Sequence, residues 1–143
     1  MTVREFLSRP EALQREIGRR QARIDTLRRL SGRFSAPLQE VRVRSSPDPT
    51  RMQELLAEVA DGEREILRLE EERQQALADT ALLISRLSEE RLIRLLTLRY
   101  LDGLGWEETA GCMGYSLPWI FRLHQQALRL LPPPPENADS VLG

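Results

Sequence analysis

Four polar side chains recur along one face of a predicted helix near the end of the chain, and they suit contact with nucleic acid. A guanidinium can pair with guanine through two hydrogen bonds, and a glutamine amide can pair with adenine in the same way. The four residues are Arg122, Gln125, Gln126 and Arg129. Together with Ser116 at the start of the helix they are the predicted DNA-binding residues. A solvated polar helix face is the alternative interpretation of the same spacing.

The opposite face of this helix is apolar, and a shorter helix precedes it. Residues 106–113 are predicted to be helical, with Gly105 at the N-cap position and Gly114 as the left-handed residue just past the C-terminus. Two short helices joined by a glycine-containing turn are typical of a helix-turn-helix. The apolar face is predicted to comprise Ile120, Leu123, Ala127 and either Leu130 or Leu131.

Four segments around this turn share a known pattern: Glu107-Glu108-Thr109-Ala110, Met113-Gly114-Tyr115-Ser116, Ile120 with Leu123, and Ala127-Leu128-Arg129. They resemble region 4 of the sigma-70 family of transcription initiation factors. With Leu98-Arg99-Tyr100-Leu101-Asp102-Gly103 in front, the stretch is also similar to small phage transcription regulators of the ArpU and RinA type. The resemblance extends from about Leu87 to Leu131.

The resemblance implies a module that binds double-stranded DNA, with its second helix, residues 116–131, in the major groove. It also implies RNA polymerase as a second partner. The chain departs from the family at Leu117, Pro118 and Trp119, where sigma factors usually carry charged residues that contact bases. The carried-over positions are therefore Arg122, Gln125 and Gln126.

Upstream, after a partly helical lead-in over residues 1–9, two longer stretches carry apolar residues in a seven-residue register, over residues 10–30 and 51–87. Such a narrow seam is typical of a coiled coil. A third helix over 89–101 would complete the core beneath the two short helices. We expect an all-α fold with three parts: a helical hairpin or coiled-coil arm over residues 1–87 with a loop near 31–50, a helix-turn-helix module over 88–131, and a disordered proline-rich tail over 132–143.

Charge is unevenly distributed along the chain. All 21 basic residues are arginines, and 11 of them lie in residues 1–44 against 5 acids, whereas residues 45–104 hold 8 arginines and 13 acids. Basic and acidic helices suit each other within one chain or between two, so we expect a homodimer formed through the N-terminal helices. Residues 105–143 hold only 2 arginines and 4 acids. The arginine-rich first helix is an alternative source of charge toward DNA.

Residue usage argues against most other classes of function. His124 and Cys112 are single residues of their types, and neither has a partner at metal-ligand or catalytic spacing. We therefore expect no enzyme, no metal and no cofactor. A single cysteine, the lack of a signal-peptide core and the lack of a membrane-spanning apolar run predict a cytoplasmic protein. A helical adaptor whose sigma-like module contacts protein is the second hypothesis.

Overall fold

The computed structural model describes residues 1–35 and 49–135, with the backbone alone described at residues 33–35. Within these ranges the chain contains α-helices and no strand, which confirms the all-α class. A π-helical turn, Thr97–Leu101, continues the third helix. The helices are α1 (Val3–Ser35), α2 (Pro49–Ile84), α3 (Glu90–Leu96), α4 (Trp106–Met113) and α5 (Leu117–Leu130).

The chain folds into two compact units whose limits differ from the predicted parts. Of the described residues, one unit, here called the terminal unit, comprises residues 1–13 and 72–135. The other, the middle unit, comprises residues 14–35 and 49–71. The first three turns of α1 and the end of α2 thus belong with α3, α4 and α5. The predicted arrangement of a hairpin over residues 1–87 and a helix-turn-helix over 88–131 stays a prediction.

The first helix begins earlier and ends later than expected. It was predicted to begin at Pro10 after a partly helical lead-in, and it begins at Val3 as one continuous helix. The hydroxyl of Thr2 accepts a hydrogen bond of 3.1 Å from the amide of Glu5. Pro10 lies inside this helix, where a proline removes one backbone hydrogen bond. Phe6 and Leu7 are buried in the core of the terminal unit, and the free energy of this burial offsets the loss of that bond. At its other end α1 extends into the predicted loop.

The rest of the predicted loop, residues 36–48, lies outside the described residues, as do residues 136–143 of the predicted tail. The second long helix agrees with the prediction to within three residues at either end.

The middle unit buries part of the predicted seven-residue seam. A Cβ atom on Gly62 would lie 2.9 Å from two side-chain carbons of Ile24, so α1 and α2 approach closely at this point. Arg23 and Glu58 form an ion pair across the two helices at 3.4 Å. The buried apolar residues of this unit are Ile17, Ile24, Val59, Ile66 and Leu69.

The terminal unit has its core between the start of α1, the end of α2, and α3, α4 and α5. The third helix was predicted to run as one α-helix from Glu89, but it changes to π-helical hydrogen bonding at Thr97, whose carbonyl accepts from the amide of Asp102 at 2.9 Å. Gly103 then ends it with a φ of 75°, a conformation that suits glycine. The largest fully buried side chains of this core are Phe6, Leu7, Leu92, Leu95, Leu96, Ile120 and Leu123.

The two short helices are connected as their sequence predicts. Gly105 is the N-cap of α4, and its amide donates to the carboxylate of Glu108 at 3.3 Å. Gly114 follows α4 with a φ of 73°, in the left-handed region. The hydroxyl of Ser116 accepts from the amide of Trp119 at 3.3 Å and so caps α5.

Candidate nucleic-acid interface

One face of α5 presents the predicted residues to solvent. Arg122, Gln125, Gln126 and Arg129 are all exposed. None of the four has a hydrogen bond or ion pair to another residue in the described part of the chain. Ser116 is also exposed, but its hydroxyl already accepts the capping bond. The structure therefore brings four unengaged polar side chains together, and it gives Ser116 a role in holding the start of their helix.

The opposite face of α5 anchors the helix in the core. The structure resolves the choice between two leucines, because Leu131 is buried whereas Leu130 is 57% exposed. His124 is also buried, at 3% exposure. Its position, four residues after Ile120 and three before Ala127, fits the period of this face, but its polar side chain was not predicted to belong to it. The buried residues of this face are Ile120, Leu123, His124, Ala127 and Leu131.

The charge of α5 itself is positive. Its sequence contains two arginines and no acidic residue. The acids that make the segment 105–143 negative include Glu107 and Glu108, which lie in the first turn of α4, where negative charge is favourable next to the helix N-terminus. The local charge of the exposed face thus differs in sign from the sum over the segment.

Two aromatic side chains flank this polar face. Trp119 is 39% exposed and Phe121 is 44% exposed. Trp106 packs between the end of the third helix and α5. Its ring lies 4.9 Å from the guanidinium carbon of Arg99 and makes an edge contact with the ring of His124, at 4.6 Å between centroids. A second edge contact, at 5.3 Å, joins Trp106 to Phe121.

A buried polar pair lies beneath this face. The hydroxyl of Tyr100 and Nε2 of His124 are 2.6 Å apart, and which of them donates depends on the imidazole tautomer. Burial, followed by the positive charges of Arg4 and Arg99, lowers the pKa of His124 to about 4. Burial likewise raises the pKa of Tyr100. Both groups are therefore neutral near pH 7.

A cleft of about 350 Å³ opens beside α5 and contains residues that the sequence did not predict as part of the interface. It is lined by Arg4 and Ser8 of α1, by Arg99 of the π-helical turn and by Gln125 of α5, among others. Arg4 was not predicted as a site residue, because residues 1–9 were expected to be only a partly helical lead-in to the first helix. The spacing of Val3, Phe6, Leu7 and Pro10, which is that of one helix face, is the signal that indicates a helix here.

The arginines of the first predicted helix are largely engaged elsewhere. Arg23 and Arg28 form ion pairs with Glu58 and Glu63 of α2. Arg19 and Arg20 both bond to Glu16 within α1. Of the two alternatives for this basic stretch, pairing with the acidic second helix is thus realised in the middle unit.

Over residues 1–35 and 49–135 there is no cluster of three or more side chains suited to hold a metal ion. No helix in that part of the chain is both long and apolar enough to cross a membrane. Comparison with protein-family models, with curated proteins and with solved structures gives no match for this chain. The function of the exposed face of α5 has to follow from its own chemistry.

Proposed function

We propose that this protein is a non-enzymatic transcription regulator that binds double-stranded DNA at specific sequences. In this proposal α4 and α5 form a helix-turn-helix, and α5 enters the major groove. The observation that carries it is the face of α5, where Arg122, Gln125, Gln126 and Arg129 are exposed and bond to no other residue of the described ranges. The resemblance of residues 87–131 to region 4 of sigma-70 factors supports the same assignment.

The side chains on this face match the chemistry of the groove. An α-helix fits the major groove, where each base pair displays a distinct set of donors and acceptors. Arg122 has donors for guanine, and Gln125 and Gln126 have the donor and acceptor that adenine requires. Because the other face of α5 is fixed in the core by Ile120 and Leu123, these polar groups are held on a rigid support.

Contact with protein, for example with RNA polymerase, is the second candidate. The observation in its favour is the exposure of Trp119 and Phe121 on either side of the polar face. Aromatic residues are enriched at protein interfaces and rare on free surfaces. Under this candidate the substitution Trp119→Ala would abolish binding to the polymerase. The wild-type protein would bind the polymerase and no DNA duplex.

Selection of duplexes from a random pool, followed by fluorescence anisotropy, tests the proposal. The Arg122→Ala and Gln125→Ala variants are each expected to weaken binding to the selected duplex by about 1–3 kcal/mol, roughly 5- to 150-fold, with unchanged melting temperatures. Arg86→Ala, an exposed arginine just after α2, serves as the control and should bind like the wild type. Absence of duplex binding by the wild type at low salt would refute the proposal.

We also propose that the protein acts as a homodimer formed through α2. Leu56 and Leu67 are 53% and 61% exposed and lie eleven positions apart, which brings them to the same side of the helix about three turns apart. Two paired modules would then read two half-sites. Sedimentation of Leu67→Glu should give a monomer, whereas Leu82→Glu, an equally exposed leucine on the same helix, should sediment like the wild type.

A further inference from the structure

The cleft beside α5 is positively charged. Among its lining residues are two arginines, Arg4 and Arg99, and no carboxylate. The hydroxyl of Ser8 and the amide of Gln125 add neutral hydrogen-bonding groups. Its floor includes His124, whose pKa of about 4 keeps the imidazole neutral near pH 7. The site is thus suited to a small, hard anion with several oxygen acceptors.

The two arginines differ in how firmly they are held. The guanidinium of Arg99 lies over the rings of Trp106 and Tyr100, at 4.9 and 5.4 Å, and is 3.6 Å from the carboxylate of Glu11. Its Nη1 atom donates to the carbonyl of Leu104 at 3.4 Å, whereas its Nε atom is buried and has no hydrogen-bond partner among the described residues. Arg99 is therefore a fixed charge with a donor still unused.

Arg4, in contrast, is exposed and has neither an ion pair nor a hydrogen bond within the described ranges. Its charge nevertheless acts in the cleft, because it adds to the lowering of the His124 pKa by burial and opposes the larger rise that burial gives the pKa of Tyr100. An exposed guanidinium on the first turn of a helix can turn toward an incoming anion at little cost. Arg4 is thus free to act as the mobile ligand of the pair.

The cleft is continuous with the predicted base-reading face. Gln125 lines the cleft and also belongs to the exposed row on α5. A helix that lies in the major groove has the phosphates of the DNA backbone along its flanks, and contacts to these phosphates set the register of the protein. An anion in this cleft would lie next to a base contact made by Gln125.

We propose that this cleft binds a backbone phosphate of the duplex, with Arg4 and Arg99 as its ligands. The inference rests on the proposed DNA-binding function and extends it to the first turn of α1. Residues 105–143 carry little positive charge of their own, and Arg4, from the opposite end of the chain, would supply part of the charge that DNA binding requires. Phosphate contacts supply most of the sequence-independent affinity for DNA.

The test is a salt titration of the full chain with the selected duplex, followed by anisotropy. The logarithm of the association constant falls as the logarithm of the salt concentration rises. Loss of one phosphate contact should make this negative slope shallower by about 0.9. Arg4→Gln is expected to show this change, together with a roughly 3- to 10-fold loss of affinity at low salt and an unchanged sequence preference. Arg4→Lys retains the charge and should retain the wild-type slope.

Arg86→Gln is the matched control, because it removes one exposed arginine of the terminal unit that does not line this cleft. It should keep the wild-type slope. An unchanged slope in Arg4→Gln, while the wild type binds its duplex, overturns the phosphate site and leaves the proposed function intact. An equal change in Arg86→Gln overturns it too, because the effect would then be one of net charge. If the wild type binds no duplex, both proposals fail.

Discussion

The hydroxyl of Tyr100 lies 2.6 Å from Nε2 of His124, and both side chains are buried beneath α5. This contact joins the π-helical turn to the helix that carries the predicted DNA-binding face. Because a buried polar atom without a partner is costly, the pair fixes how α5 sits on the core of the terminal unit. The first two predictions concern this contact.

Stability should fall as the pH drops below about 6.5. Folding lowers the pKa of His124 from its ordinary 6.5 to about 4, so the unfolded chain binds more protons in this interval. The contribution is fully present above the unfolded pKa, and it is lost as the pH falls toward 4. At about 1.4 kcal/mol per pKa unit, the free energy of unfolding should decrease by roughly 2 kcal/mol between pH 7 and pH 5.

Urea denaturation at both pH values measures this decrease. His124→Gln, which keeps a hydrogen-bonding group but does not titrate, should show a much smaller difference between them. Equal pH dependence in the two proteins would assign the effect to other groups.

Removing the tyrosine hydroxyl should destabilise the protein at neutral pH. Tyr100→Phe leaves Nε2 of His124 buried without its partner, which costs about 1–3 kcal/mol. Tyr115→Phe is the matched control. Tyr115 is only half-buried in the turn between α4 and α5, and its hydroxyl interacts with the exposed guanidinium of Arg91, a surface contact that adds little stability. We expect its unfolding midpoint in urea to remain close to that of the wild type. Similar losses in both variants would contradict a special role for the Tyr100 hydroxyl.

Truncation of a side chain near the N-terminus should weaken the core of the terminal unit. Leu7 is 1% exposed there, so Leu7→Ala is expected to cost about 2–5 kcal/mol by leaving a cavity. Leu130→Ala removes the same atoms from a side chain that is 57% exposed, and it should change stability by less than about 0.5 kcal/mol. Thermal unfolding compares the two. A neutral Leu7→Ala would mean that the unit does not need the first turns of α1.

Two glycine substitutions in helices should have opposite effects. Gly18→Ala meets no atom within 4 Å and should stabilise α1 by about 0.5–1 kcal/mol through the lower entropy of the unfolded chain. Gly62→Ala would bring its Cβ to 2.9 Å from Cγ1 and Cδ1 of Ile24, which is itself buried. Overpacking of this kind costs about 1–3 kcal/mol and exceeds the gain in helix propensity.

Calorimetry of both glycine variants measures the difference. We expect a higher melting temperature for Gly18→Ala and a lower one for Gly62→Ala. If both rise, α1 and α2 do not pack at the distance described for the middle unit.

The helices around the turn could be predicted closely because their limits depend on neighbouring residues. Gly105, Gly114 and Ser116 each act within one helical turn of their own position, through capping bonds and a left-handed backbone. The buried face of α5 was predicted for the same reason, since a period of 3.6 residues is visible in the chain itself. The choice between Leu130 and Leu131 was left open, because both lie near that face and only the packing at the end of α5 distinguishes them.

The unbroken helix from Val3 through Pro10 and the change to π-helical geometry were not predicted. Pro10 signals a helix start by local rules, and these rules are overridden when Phe6 and Leu7 are buried against a core made mostly from residues beyond 83. Likewise, no local pattern identifies His124 as a buried partner of Tyr100, because the two are 24 positions apart.

Local sequence was thus sufficient for the helical class, for the caps of α4 and α5 and for the row of polar residues on α5, because hydrogen bonds and periodicity within a helix extend over only a few residues. Folding in three dimensions was needed to bring Arg4 into the same cleft as Arg99 and Gln125. Burial of distant apolar side chains drives such contacts, and it has no signature in any short stretch of the chain.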